Sequence, residues 1–277
     1  MMATVSTGGF SVKNSSLGAY NSLSIEWVAI IFMFIGGTNF AIIFMAIKGR
    51  FREILKNSEL KAYVLIITLV SAGIFFSILN YDSVGLKSAF EAFTDSVFQV
   101  VSVITSTGFV TADYQKWAPV THVLIFFLLI VGACSGSTAG GLKIFRLVGI
   151  VKISLNDIVK SFRPNLIRPV RLNAKVLTER NSGDMLSFTV LYAIVSMSGI
   201  IILSALERDL SFASTMATVV SCISNVGPGL AETGPVENYG FFNDASKLFL
   251  SLLMIMGRLE FYAVLALFMP SLWKRFR

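Results

Sequence analysis

The stretch V-I-T-S-T-G-F-V-T-A-D runs from Val103 to Asp113 and decides the fold that the sequence predicts. At its centre two small hydroxyl residues precede Gly108, and an aromatic residue follows it. An amphipathic run at residues 88–102, too short and too polar to cross a bilayer, comes before this stretch, and an apolar run follows Pro119. A short helix and a glycine-containing strand between two hydrophobic helices are the layout of a pore loop.

A pore loop of this composition can bind a cation through its backbone. A dehydrated cation needs a ring of carbonyl oxygens in place of its water shell. Turning successive carbonyls to one side requires φ/ψ values that glycine adopts without steric penalty, which assigns that role to Gly108. The run before it fits the short helix of such a loop, since Phe90, Phe93, Val97 and Val101 recur at helical spacing.

The composition is that of an integral membrane protein. Of 277 residues, 55% are hydrophobic and 14% charged, with a mean hydropathy of +0.74, whereas soluble domains carry about 25% charged residues. The candidate spans are Ile25–Ile47, Ala62–Leu79, Ala118–Val131, Met185–Leu206 and Ala245–Met269. All except Ala118–Val131 approach the roughly 20 apolar residues that cross the hydrocarbon.

The positive charge sets the orientation of the chain. The net charge is +7, and most of the 23 Lys and Arg residues lie in segments 48–61, 143–180 and 274–277. Cytoplasmic loops carry such an excess, so we expect these segments in the cytoplasm and the glycine-containing loops outside. The basic character therefore does not indicate a nucleic-acid partner.

The short span ends in ten small residues, 132–141, four of which are glycine. Irregular backbone at membrane depth persists only where it is buried in protein or faces a water-filled cavity. Two interpretations remain open at this point: a mobile plug beneath a pore, or a flexible elbow or ordinary cytoplasmic loop.

The last span contains Gly257-Arg258-Leu259-Glu260. An arginine at mid-membrane costs about 2.5–3.5 kcal/mol on insertion scales, so it needs a partner or water. Residues two apart do not face each other on a helix, and Arg258 and Glu260 are therefore expected to find separate partners. We expect Arg258 to reach the aqueous side of the pore.

The hydroxyl-glycine pattern is repeated along the chain. Aligned on the glycine, the three copies are Ser6-Thr7-Gly8, Ser106-Thr107-Gly108 and Asn225-Val226-Gly227, separated by 100 and 119 residues. A second short pore helix is predicted at residues 210–221. Repeats of this size indicate a pseudosymmetric bundle around an axis.

These motifs, taken in order, are similar to the Trk/Ktr/HKT potassium transporter superfamily, most closely to the bacterial TrkH-type uptake subunit. The residues that carry the resemblance are Ser6-Thr7-Gly8-Gly9-Phe10, Gly36-Gly37-Thr38-Asn39-Phe40, Thr107-Gly108-Phe109, Gly136-Ser137-Thr138-Ala139-Gly140-Gly141, Asn225-Val226-Gly227-Pro228-Gly229 and Gly257-Arg258-Leu259-Glu260. They extend over the whole chain.

The resemblance implies an all-α membrane protein of helix–pore-loop–helix repeats around a pseudo-fourfold ion pore. The family has four repeats in one subunit, whereas this chain holds about two and a half, and the first is missing. The expected units are 1–61 (filter strand and inner helix of the second repeat), 62–160 (third repeat with a broken inner helix), 161–182 (cytoplasmic linker) and 183–277 (fourth repeat).

The resemblance also implies roles for individual residues. The expected selectivity filter is Ser6, Thr7, Gly8, Ser106, Thr107, Gly108, Asn225, Val226 and Gly227, with K⁺ at the carbonyls of Thr7, Gly8, Thr107, Gly108, Val226 and Gly227. The expected gating residues are Gly132, Gly136, Ser137, Thr138, Gly140, Gly141, Lys143 and Arg258.

The function implied is gated potassium uptake across the bacterial inner membrane by a multi-pass subunit of the Trk system, with Na⁺ or H⁺ symport left open. The implied partners are a second copy in a membrane homodimer and cytoplasmic TrkA/KtrA-type nucleotide-binding subunits. No nucleotide is expected on this chain, because Gly136–Gly141 lacks the preceding strand of a phosphate-binding loop.

Two other classes of function compete with this interpretation. A secondary transporter with broken helices, carrying another small solute or a cation such as Na⁺, would suit the break at 132–141 but does not call for three hydroxyl-glycine loops. An intramembrane enzyme would have to use His122, Cys134 or Asp113, which lack metal-site or nucleophile spacing. We therefore do not expect an enzyme.

Overall fold

The structure is a computed structural model that describes residues 2–81, 88–163, 169–172 and 175–270. Its helices are α1 Met2–Val5, α2 Leu23–Gly36, α3 Phe40–Ile47, α4 Phe51–Ile54, α5 Ser58–Asn80, α6 Ala89–Ile104, α7 Pro119–Ile130, α8 Ile144–Phe162, α9 Glu179–Leu206, α10 Phe212–Ser224, α11 Asp244–Arg258 and α12 Tyr262–Leu267. Strands β1 Val131–Gly132 and β2 Leu142–Lys143 pair in parallel, and β3 Arg171–Leu172 and β4 Lys175–Val176 pair antiparallel. The all-α class is confirmed.

Some of the basic residues used to predict the orientation, and part of the predicted linker, lie outside the described residues. Lys87, residues 164–168 and 173–174 of the linker and the basic end at 274–277 belong to this group. The assignment of repeats to 1–61, 62–160, 161–182 and 183–277 stays a prediction.

Only two described helices are continuous spans by length and apolarity, α5 with 23 residues and α9 with 28. The candidate span Ile25–Ile47 is divided into α2 and α3, which pass as one span only when taken together and meet at an angle of 103°. Asn39 causes part of this break, since its side chain accepts a hydrogen bond from the Ala41 N–H at 2.8 Å and so starts a new helix.

The prediction of a continuous last span at Ala245–Met269 is wrong. Helix α11 ends at Arg258, and Glu260 and Phe261 both have positive φ, 55° and 28°. The Phe261 ring is buried and packs against Phe188 and Tyr192, with ring centroids 5.4 and 6.0 Å apart. Because Phe261 is apolar, a hydropathy profile does not reveal the break in the helix.

Both predicted pore helices are present, as α6 and α10. Helix α6 begins with a capping box between Ser88 and Glu91, which satisfies two backbone N–H groups. Phe90 and Phe93 lie on its exposed side next to Trp27, at ring distances of 6.5 and 6.3 Å. The buried residues of α6 combine polar side chains such as Thr94 and Gln99 with apolar ones such as Phe98, and they pack against the other elements.

The packing forms two hydrophobic clusters, each around one pore helix. The first joins residues of α2, α5, α6 and α7, and the second joins residues of α9, α10 and α11. Helix α2 packs closely against the end of α1 at Gly36, and α11 packs closely against the end of α10 at Gly257. A Cβ at Gly36 would lie 2.7 Å from the Val5 carbonyl oxygen, and one at Gly257 would overlap the Ile223 carbonyl oxygen and lie 2.7 Å from its carbon.

Gly257→Ala is expected to destabilise the protein by about 1–3 kcal/mol, because backbone atoms of α10 cannot make room for the added methyl group. Thermal unfolding of the purified protein in detergent measures the effect. Gly183→Ala is the matched control, because a Cβ there meets nothing within 4 Å in α9. Equal melting temperatures for the two variants would contradict the close approach of α10 and α11.

Candidate ion pathway

In the second of the three glycine loops, residues 105–108, two successive backbone N–H groups turn back toward the pore helix α6. The N–H groups of Thr107 and Gly108 both donate to the Ser102 carbonyl, at 2.9 and 3.3 Å. Ser106 and Gly108 have positive φ, 55° and 76°. N–H groups that converge on one side in this way leave the carbonyls directed to the other side.

The other two loops repeat this pattern. Gly8 and Gly9 donate to the Ala3 carbonyl at 2.9 and 3.3 Å. Val226 donates to the Ser221 carbonyl at 3.0 Å, and Gly227 donates to the Ser221 hydroxyl at 3.0 Å. The pairs with positive φ are Thr7 and Gly9, Ser106 and Gly108, and Asn225 and Gly227.

The hydrogen bonds correct the alignment of the first loop by one residue. Thr7-Gly8-Gly9, rather than Ser6-Thr7-Gly8, corresponds to Ser106-Thr107-Gly108 and to Asn225-Val226-Gly227. The sequence carried a signal for this register, because Phe10 follows Gly9 as Phe109 follows Gly108. Gly8, Thr107 and Val226 therefore stand at one level.

The three loops lie side by side. A Cβ at Gly9 would overlap the Thr107 carbonyl oxygen, and a Cβ at Gly108 would overlap the Val226 carbonyl oxygen. Each glycine therefore admits the main chain of the next loop at a distance that a side chain would block. We call this arrangement of residues 6–9, 105–108 and 224–227 the filter arc.

A loop formed by residues 131–143 crosses directly beneath the filter arc; we call it the intramembrane loop. The Thr7 hydroxyl donates to the Thr138 hydroxyl at 2.9 Å, and the Gly140 N–H donates to the Ser106 hydroxyl at 3.0 Å. A Cβ at Gly140 would lie 2.9 Å from the Ser224 carbonyl carbon. The loop thus touches all three filter strands.

Cationic side chains hold the intramembrane loop. Arg258 Nη1 donates to the Thr138 carbonyl at 2.6 Å, and Lys143 Nζ donates to the Ala139 carbonyl at 2.7 Å. Glu260 pairs instead with Arg146 at 2.7 Å, so the expectation that Arg258 and Glu260 have separate partners is confirmed. Arg258 and Lys143 line a cavity of about 270 Å³ together with residues 137–141.

The loop is also tied to the break in the first inner helix and to the start of α5. Cys134 N–H donates to the Gly37 carbonyl at 3.1 Å, and Phe40 N–H donates to the Gly136 carbonyl at 3.2 Å. A Glu59 carboxylate oxygen accepts a hydrogen bond from the Ser135 N–H, although Glu59 is only 3% exposed. Sequence reasoning missed Glu59, whose only signal is a carboxylate in the first turn of a helix.

The outer side carries carboxylates. Glu207, Asp209, Glu232 and Glu237 line one cavity of about 530 Å³, and a second of about 270 Å³ is lined by three further acidic side chains, Glu26, Glu91 and Asp95. The Ser211 hydroxyl donates to Glu232 at 2.7 Å and lowers the pKa of that carboxyl, which keeps it ionised. Such a surface concentrates cations near the pore mouth.

The three residues considered for an enzyme do not form a site. His122 Nε2 lies 3.1 Å from the Tyr114 carbonyl oxygen, and Asp113 accepts from the Gln115 N–H at 3.2 Å. Cys134 lies in the intramembrane loop, beyond the opposite end of α7 from His122. Within the described residues no group of three or more His, Cys, Asp and Glu side chains is placed to hold a metal ion.

Glu59→Ala leaves the Ser135 N–H without its partner, and a lost partner of this kind costs about 1–3 kcal/mol. We expect amide hydrogen exchange at residues 133–141 to quicken by roughly tenfold or more. Glu59→Gln keeps an acceptor oxygen and should change exchange less. The matched control is Glu53→Ala, which removes an exposed ion pair with Arg50; similar exchange in the Glu59→Ala and Glu53→Ala variants would disprove the anchoring role.

The chain matches the TrkH family, described as a cation transport protein, over residues 1–275. It is 32% identical to the Trk system potassium uptake protein TrkG of Escherichia coli (strain K12) over 99% of this chain and 55% of that protein. It is 31% identical to the Trk system potassium uptake protein TrkI of Halomonas elongata, with the same coverage. The chain thus spans about half the length of the curated relatives it matches.

A solved structure agrees in fold. The crystal structure of the potassium transporter TrkH from Vibrio parahaemolyticus superposes with a TM-score of 0.88 at 29% identity and covers 98% of this chain and 57% of that one. The family match and this structural match both extend over nearly the whole chain. The chain therefore belongs to the TrkH family of cation transport proteins, and it is an integral membrane protein.

Proposed function

We propose that this chain forms part of a potassium uptake protein in which K⁺ crosses the membrane along the filter arc and passes the intramembrane loop. The relatives described above are named potassium uptake proteins or a potassium transporter. The observation that carries the proposal is the shared register of three neighbouring loops, each with two successive N–H groups bonded to the short helix that precedes it.

The proposed ion ligands are backbone carbonyls. Gly8, Thr107 and Val226 stand at one level of the filter arc and offer the three oxygens of one layer. Thr7, Gly108 and Gly227 complete the set expected from sequence, with Thr7 one level below and the two glycines one level above. The side chains of Thr7, Ser106 and Asn225 point to protein partners, so the main chain is left for the ion.

The proposed gate is the intramembrane loop. In this proposal the loop lies across the inner end of the filter arc and blocks an ion, and its hydrogen bonds to Thr7 and Ser106 support that position. The charges of Arg258 and Lys143 beneath it add electrostatic repulsion toward a cation. Glycines at 132, 136, 140 and 141 permit the close packing seen here and supply the hinges that an opening movement requires.

The proposed setting is the bacterial inner membrane, crossed several times, with basic segments in the cytoplasm. The proposed assembly is a homodimer that binds cytoplasmic TrkA/KtrA-type subunits, and any regulatory nucleotide belongs to those subunits. Transport rather than catalysis is the proposed activity. Solute transport by broken helices is disfavoured, because that mechanism gives no reason for three neighbouring glycine loops.

Gly108→Ser is expected to lower the K⁺ over Na⁺ preference of uptake by roughly tenfold or more, since a Cβ would displace the Val226 carbonyl and φ is +76°. Ion uptake by cells that lack their own potassium transporters measures the preference. Gly49→Ser is the control, because Gly49 has a similar φ of +72° but open space around it. Unchanged preference in the Gly108→Ser variant would count against a carbonyl filter.

A further inference from the structure

Three successive carbonyls of the third loop accept hydrogen bonds from side-chain hydroxyls. Tyr239 Oη donates to the Gly227 carbonyl at 2.6 Å, and Ser221 Oγ donates to the Pro228 carbonyl at 2.9 Å. Tyr114 Oη donates to the Gly229 carbonyl at 2.7 Å. Side-chain hydrogen bonds therefore hold the third loop at Gly227 and at the two residues that follow it.

The second loop shares only one of these bonds. Ser102 Oγ donates to the Phe109 carbonyl at 2.6 Å, at the position that corresponds to Ser221 and Pro228. Among the described residues, no side-chain donor reaches the carbonyl of Gly9 or Gly108, which correspond to Gly227. The bond from Tyr239 is thus peculiar to the third strand.

The Gly227 backbone also differs in conformation. Its φ is 105°, against 64° at Gly9 and 76° at Gly108. A Cβ at Gly227 would meet nothing within 4 Å, so packing at that side does not fix the peptide. The carbonyl itself accepts a hydrogen bond from Tyr239, and this bond helps to set its direction.

Tyr239 is itself held in place. It lies in a short 3-10 turn, Tyr239–Phe241, and its ring stands 5.5 Å from that of Phe242. It packs on the hydrophobic cluster around α10, to which Val219 and Cys222 belong. The Gly227 carbonyl therefore points back into its own repeat, whereas the neighbouring Val226 carbonyl faces Gly108 of the second loop.

We propose that Tyr239 is a specificity-determining positioning residue that holds the Gly227 carbonyl off the ion path. The third strand then supplies a ligand through Val226 but not through Gly227, so the glycine level of the filter arc offers fewer oxygens than the level below. This assignment rests on the proposed function and removes Gly227 from the set of K⁺ ligands expected from sequence. Ion preference depends on the number and field strength of the carbonyls, so the hydroxyl of Tyr239 acts on selectivity.

The test is Tyr239→Phe, which removes only the hydroxyl. The polypeptide that carries this chain is reconstituted in liposomes, and K⁺, Rb⁺ and Na⁺ fluxes are compared at equal protein content. The expected result is a fall in the K⁺/Na⁺ flux ratio of roughly 3- to 10-fold, the factor that corresponds to one net hydrogen bond. The melting temperature measured without cations is expected to stay close to that of the unaltered protein. Tyr81→Phe, at the exposed outer end of α5, is the control.

The outcomes separate the assignment from the function beneath it. A selective flux in the unaltered protein together with an unchanged ratio in folded Tyr239→Phe overturns the assignment alone. Absence of any cation flux in the unaltered protein overturns the proposed function, and the assignment with it.

A second measurement needs no variant and applies even if Tyr239→Phe does not fold. Isotope-edited infrared spectra of the unaltered protein, labelled at single carbonyls, are recorded in K⁺ and then in Na⁺. The Val226 carbonyl band is expected to shift on this exchange and the Gly227 band to stay fixed. A Gly227 band that shifts as much as the Val226 band overturns the assignment.

Discussion

The structure depends on how buried backbone groups are satisfied where no water reaches them. Each loop of the filter arc gives its N–H groups to the short helix that precedes it, and among the described residues no donor reaches the opposite carbonyls of Gly8, Thr107 and Val226. Unpaired carbonyls at membrane depth cost several kcal/mol each unless another partner takes them. A dehydrated cation is such a partner, so the folding constraint and the proposed transport share one cause.

The same constraint explains why so much of the molecule is broken helix. The filter arc needs its strands within van der Waals contact, and the inner helices must end near the pore-helix termini, which only glycine allows at Gly36 and Gly257. The intramembrane loop then finds partners for its own backbone in Ser106, Glu59 and Arg258, and the hydroxyl of its Thr138 accepts a hydrogen bond from Thr7. Arg258 and Lys143 therefore lie on the loop side of the arc, and carboxylates line two further cavities of the protein.

Much of this could be predicted from the sequence, because glycine, charge and hydropathy each report a strong local constraint. The pore helices, the break at 132–141 and the separate partners of Arg258 and Glu260 follow from such local rules. The break in the last inner helix did not follow from them, because it contains the apolar residue Phe261 and a hydropathy profile carries no information about φ. The register of the first loop was missed by one residue because Gly8 and Gly9 are adjacent. The partner of Glu59 lies 76 residues away in the chain, and that of Tyr239 lies across a loop without regular spacing, so the sequence alone does not reveal either contact.

The central claim is that main-chain oxygens of the filter arc take the place of an ion's water shell. Crystals of the protein grown in K⁺ and exchanged into Rb⁺ test it most directly, because Rb⁺ resembles K⁺ and scatters anomalously. The account predicts an anomalous peak equidistant from the carbonyl oxygens of Gly8, Thr107 and Val226. A peak elsewhere on the chain, or none at this position with the filter arc intact, would contradict it.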